Sequence, residues 1–206
     1  MLKTTSIAAL FVVISSPAVL AQDYQAPGDA LEPGETATVP FLLPNGPEVP
    51  IAVTVTEIET GDIADLEGFE LPAEYADATP YYARYEAENL GDEDLANYEI
   101  SGFVGIGADG ASINPSITLG GATPFETCLN PAPAAMAKGD THSGCVLFLL
   151  PEGSELSGVG YRGNYRYEEG VDTEEAFPIY YNPVVWSQSE TATSTKSKGV
   201  VVAPAT

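Results

Sequence analysis

The sequence predicts an all-β chain folded as an antiparallel sandwich, and three observations carry this. Residues 81–88 alternate, with Tyr81, Ala83, Tyr85 and Ala87 on one side and Tyr82, Arg84, Glu86 and Glu88 on the other. Successive side chains of a strand face opposite sides of a sheet, so this segment is a strand with one buried and one wet face. The Tyr, Val, Thr and Ile content favours strands, and 20 glycines and 17 prolines punctuate the 206 residues. No long stretch sustains a 3.6-residue period.

Taken in order, residues 1–21 read as a secretory signal peptide. Lys3 gives the basic start, residues 7–14 the apolar core, and Val19 and Ala21 the small residues before a cut at Gln22. The apolar run is too short to span a bilayer, and nothing later approaches about eighteen apolar residues in a row. Residues 22–34, rich in Pro, Gly and acid, read as a flexible leader. The sandwich is expected over residues 35–183, followed by a flexible Ser/Thr-rich tail over 184–206.

Within the domain, residues 36–43 make a first strand in which Pro40 marks a break or an edge. Residues 50–60 form a stronger strand, with Ile51, Val53 and Val55 on one face. Asp62 is placed to cap a helical turn over residues 63–66. The central strand ends at Asn89-Leu90-Gly91-Asp92, a turn composition, and residues 98–107 follow as a strand. Ala108-Asp109-Gly110 is a hairpin signal. Residues 111–124 carry no clear pattern. Residues 143–150 are the most apolar strand, residues 157–167 a Tyr-bearing one, and residues 177–181 the last.

The chain holds 30 Asp and Glu against 7 Lys and Arg, a formal net charge of −23. Such a surface is repelled by phosphate backbones and anionic lipid, which argues against nucleic acid and membrane surfaces as partners. A solvating acidic exterior is the plain reading of the charge.

The order of short motifs points to a family. Gly34-Glu35-Thr36 precedes Val53-Thr54-Val55-Thr56, then Gly61-Asp62-Ile63-Ala64-Asp65-Leu66, Tyr81-Tyr82-Ala83-Arg84 and Glu88-Asn89-Leu90-Gly91-Asp92. Cys128, Lys138-Gly139-Asp140, Cys145 and Leu150-Pro151-Glu152-Gly153 complete it. Over residues 34–163 this resembles the secreted bacterial immunoglobulin-like β-sandwich domains of unknown function, related to actinobacterial lipoproteins and a small secreted mycobacterial antigen. The resemblance implies an immunoglobulin-like fold, a location in the periplasm or outside the cell, and no catalytic residue. Many relatives carry a lipid-attachment cysteine; this chain has none after the expected cut, which predicts a free exported protein without lipid anchor.

Few residues are candidates for chemistry. Cys128 and Cys145 are the only cysteines, and an even pair in an exported chain predicts a disulfide. His142, the lone histidine, is expected to face solvent in a turn. No Gly-x-Ser-x-Gly elbow, zinc-ligand set or phosphate-binding loop is present, so no enzyme is expected. Asp92, Glu93 and Asp94 are the candidate cation site, because clustered turn carboxylates supply the oxygen ligands that Ca2+ takes. Tyr161, Tyr165 and Tyr167 would share one face of a strand and are the candidate contact surface, with ordinary sheet packing as the alternative. The function expected is an exported, non-catalytic binding module for a protein or cell-envelope ligand, with a calcium-dependent structural or adhesion domain as the alternative.

Overall fold

The computed structural model describes residues 23–44, 46–115, 125–163 and 172–187. Among them the strands are β1 (Ala30–Leu31), β2 (Thr36–Leu42), β3 (Glu48–Thr60), β4 (Thr79–Asn89), β5 (Phe103–Gly107), β6 (Ser112–Ile113), β7 (Thr141–Leu150), β8 (Leu156–Tyr161) and β9 (Val184–Ser187). One sheet has the order β2-β3-β4-β7 and the other β1-β9-β8-β5-β6. Every pairing is antiparallel except β1 with β9, which is parallel. The chain is thus the all-β, immunoglobulin-like sandwich its sequence predicts, with one parallel pair added.

The core follows from alternation. Ala37, Val39 and Phe41 of β2, Val49, Ile51, Val53 and Val55 of β3, and Tyr81, Ala83, Tyr85 and Ala87 of β4 all point inward and are buried. They meet Phe103, Val159, Tyr161, Val184 and Trp186 of the facing sheet. A bulge between Val55 and Glu57 breaks the β3–β4 register, after which Ile58 again lies opposite Ala83. Pro40 sits in β2, an edge strand, where a missing N–H costs no ladder bond.

The outer face of β4 and β7 is not wholly wet. Tyr82, Cys145, Leu147 and Leu149 lie under a second apolar layer that includes Leu66, Phe69, Leu71, Tyr75 and Phe125. This explains why β7 is apolar without alternation: Val146, Phe148 and Leu150 face the main core while the residues between them face the cover. The cover starts at the 3-10 turn Ile63–Leu66, where Asp62 and Asp65 form a reciprocal capping box. Asp65 also accepts a 3.0 Å hydrogen bond from the Tyr82 hydroxyl. Burial, with this carboxylate beside it, raises the Tyr82 pKa.

The sheets are pinned together by the polar tips of buried aromatics. The Tyr161 hydroxyl donates to the Pro40 carbonyl at 3.3 Å, and Trp186 Nε1 to the Glu35 carbonyl at 2.8 Å. Tyr85, in the other sheet, donates to the Ile100 carbonyl at 3.3 Å and to Asn130 Oδ1. Phe103 lies between two of these rings, 4.5 Å from Tyr85 and 5.5 Å from Tyr161. A buried phenol or indole needs such a partner, and each finds one near a strand end.

Several boundaries differ from the sequence expectation. The sandwich takes in part of the leader, since Ala30 and Leu31 pair with Val185 and Trp186. It also takes in the first residues of the expected tail: β9 is an inner strand of its sheet and Trp186 is fully buried. The strand expected from residue 98 begins only at Phe103. Asn97 and Gly102 adopt positive φ and turn the chain, and a side chain at Gly102 would meet the Gly163 backbone at 2.7 Å. Of residues 177–181, expected to be extended, 178–181 are helical: α1 (Thr173–Ala176) is capped by Asp172, and α2 (Pro178–Tyr181) begins with proline.

Candidate binding cleft

The cysteines are joined as expected. Cys128 and Cys145 form a disulfide with their Cα atoms 5.0 Å apart, and the Cys145 N–H donates to the Leu129 carbonyl at 2.9 Å. The bond staples residues 125–130 over the outer face of β7. In the chain-entropy model, closing a loop of this length is worth about 3 kcal/mol.

The acidic turn does not gather its carboxylates. Asp92 pairs with Lys138 at 2.8 Å, and that hydrogen bond holds its pKa below the usual carboxylate value. Asp94 accepts the N–H groups of Ala96 and Met136. Glu93 enters through its main chain, as its carbonyl accepts a bond from Asn89. Asp109 and Asp140, in other turns, likewise accept backbone N–H groups. Among the described residues no group of three or more His, Cys, Asp or Glu side chains is placed to hold a metal ion.

The residue that organises this end is Asn89, which the sequence reading took only as a turn former. It is fully buried. Its amide donates to the Glu93 and Met136 carbonyls at 2.7 and 2.8 Å and accepts from the Gly91 N–H at 2.9 Å. Two loops are thereby tied to the end of β4. An Asn-x-Gly step after an alternating strand was the signal available.

Tyr161 is fully buried against Phe103 and cannot serve as a contact residue. Its face of β8 is the core face. Tyr165 and Tyr167 lie outside the described residues. His142 is in β7 opposite Ala87 rather than in a turn, and its Nε2 is buried without a hydrogen-bond partner among the described residues. The extended register of β7 begins at Thr141 and carries the imidazole partly under cover.

Among the described residues, three hollows stand out. One hollow, about 370 Å³, lies between the β5–β6 and β7–β8 turns beside Asp109 and Glu155. A second, about 330 Å³, lies over Arg84, whose guanidinium is already engaged by Glu57, Glu59 and the Thr127 carbonyl.

The third is a cleft of about 280 Å³ with apolar walls. One wall is the leader at Tyr24–Pro27, another the edge strand β2 at Pro40 and Leu42, and the last the α1–α2 junction at Phe177–Ile179. Its walls are fixed by the backbone. Gln25 N–H donates to the Thr38 carbonyl at 2.7 Å, Gly28 N–H to the Asn182 carbonyl at 2.9 Å, and Val185 N–H to the Asp29 carbonyl at 2.9 Å. The Tyr24 phenol and the Glu48 carboxylate stand at the rim. Burial raises the Tyr24 pKa first, and the neighbouring Glu48 carboxylate raises it further. Sequence reading missed this cleft because its walls come from four separate segments.

No protein-family model matches the chain, and no curated protein does. Several solved structures are similar to it at low identity. MPT63, a secreted protein from Mycobacterium tuberculosis, is 13% identical with a TM-score of 0.47, over 80% of this chain and 100% of that one. The yjhA protein from Bacillus subtilis is 12% identical with a TM-score of 0.43, over 78% and 99%. A functionally unknown protein from Listeria monocytogenes is 14% identical with a TM-score of 0.33, over 68% and 73%. At these values the likeness carries no conclusion about this chain.

Proposed function

We propose that the protein is an exported, non-catalytic module that binds a small ligand in the cleft between the leader, β2 and the α1–α2 junction. The observation that carries the reading is the cleft itself. Its walls are apolar, its polar groups are few and lie at the rim, and main-chain bonds fix both sides, which is the composition of a ligand site. Its volume lies just below the usual range of roughly 300–1,000 Å³, so a small molecule fits it better than a peptide. Export is supported by the signal-like residues 1–21 and by the disulfide, which persists in oxidising compartments. No helix among the described residues is long and apolar enough to cross a membrane. The non-catalytic reading is supported by the acids of the turns, which cap backbone N–H groups instead of facing one another.

The test is a ligand-detected NMR screen of small amphiphiles on the mature oxidised chain and on Ala176→Trp. Ala176 is exposed and lines the cleft, so the indole fills it without entering the core. Binding that disappears in Ala176→Trp supports the reading. Binding that survives, or turnover of a bound compound, overturns it.

A further inference from the structure

We infer that the ligand of this cleft is a small amphiphile with an apolar body and a primary ammonium head, seated against Glu48. This rests on the reading of the cleft as the binding site and names its ligand class.

The walls select the body. Pro27, Leu42, Phe177 and Ile179 offer carbon surface on several sides, and burying an alkyl or aryl group there gains roughly 25 cal/mol per Å². The rim selects the head. Among the described lining residues Tyr24 and Glu48 are the only ionisable side chains, and no Lys or Arg accompanies them. The Tyr24 phenol keeps its proton at neutral pH, so Glu48 is the single charge. A carboxylate is an acceptor alone, whereas an ammonium offers three donors: one for Glu48, one for the phenol oxygen and one for water. An anionic head would meet a like charge at Glu48, which works as discrimination against it.

The whole molecule reinforces the sign. A net charge of −23 raises the local concentration of small cations and lowers that of anions. The acids beside Arg84 and Lys138 are already paired.

The experiment compares three probes of one size, hexylammonium, hexanol and hexanoate, titrated calorimetrically into the mature oxidised chain at low salt. Hexylammonium is expected to bind about fivefold more tightly than hexanol, the upper range for a solvent-accessible ion pair, and hexanoate most weakly. Glu48→Gln should erase the preference for hexylammonium over hexanol. Glu48 is exposed, so the variant keeps the fold, which the fluorescence of buried Trp186 checks. In the unaltered chain, 0.5 M NaCl should shrink the preference independently of any variant. Equal affinity for hexylammonium and hexanol, or a preference that survives Glu48→Gln or high salt, overturns the ligand class. If hexanol binding is then still lost in Ala176→Trp, the cleft stands as the site and only its ligand class falls. If no probe binds in a manner sensitive to Ala176→Trp, the cleft reading fails and this inference fails with it.

Discussion

Among the described residues, replacing Asn89 by alanine should be the most damaging single change to a polar side chain. The residue is fully buried at the end of β4, and truncation removes three hydrogen bonds of 2.7–2.9 Å at once. Two carbonyls, of Glu93 and Met136, and the N–H of Gly91 lose their partner. A net hydrogen bond contributes about 1 kcal/mol, and a buried group left unsatisfied costs about 1–3 kcal/mol. Three such losses amount to about 3–5 kcal/mol. For a domain whose total stability is about 5–15 kcal/mol, that is a large share. At about 2–4 °C per kcal/mol for a chain of this size, the melting temperature should fall by about 6–20 °C. Asn89→Asp is the isosteric control. It creates no cavity, yet it turns the two donated bonds into contacts between a carboxylate oxygen and a carbonyl, so it should be at least as harmful. Urea unfolding followed by fluorescence is well suited, because Trp186 is the sole tryptophan and is fully buried. A loss below about 1 kcal/mol for Asn89→Ala would refute the reasoning, since the two loops would then hold without the amide.

Three further outcomes are expected. The Cys128→Ser/Cys145→Ser double variant should lose about 3 kcal/mol in the same assay; a loss under about 1 kcal/mol would mean that the apolar cover alone holds residues 125–130 on β7. Tyr161→Phe should cost about 1 kcal/mol through the bond to the Pro40 carbonyl, and no change would show that bond to be dispensable. Millimolar calcium should leave the melting temperature unchanged, because Asp92 is paired with Lys138 and Asp94 with backbone N–H groups. A native-state site a hundredfold tighter than the calcium concentration would add about 2.7 kcal/mol, so a rise that magnesium does not reproduce would contradict this.

What was legible in the sequence depended on how local its cause is. The faces of β4 could be read from the Tyr/Ala alternation, because one side meets the core along its whole length. The capped turn after Asp62, the hairpin at residues 108–110 and the Cys128–Cys145 bond are also local or compositional signals. Tyr82 is covered rather than wet, because residues 63–75 fold back onto the strand that follows them and Phe125 joins from a later loop, which the alternation of β4 does not report. β1 and β9 are too short to show a period, and they pair across about 150 residues. The inward face of Tyr161 follows from packing on Phe103, and nothing in the Tyr/Arg pattern distinguishes that from exposure. The cleft is the extreme case: its walls come from the leader, β2, the start of β3 and the α1–α2 junction, so no window along the chain contains it.

The most direct test of the central claim is a 1H–15N titration of the mature oxidised protein with hexylammonium. The account predicts that the shifted amides cluster at residues 24–28, 38–43, 48 and 176–179, the segments that wall the cleft. Largest shifts at the 108–113 and 151–155 turns, or around Arg84, would place the ligand elsewhere and contradict it.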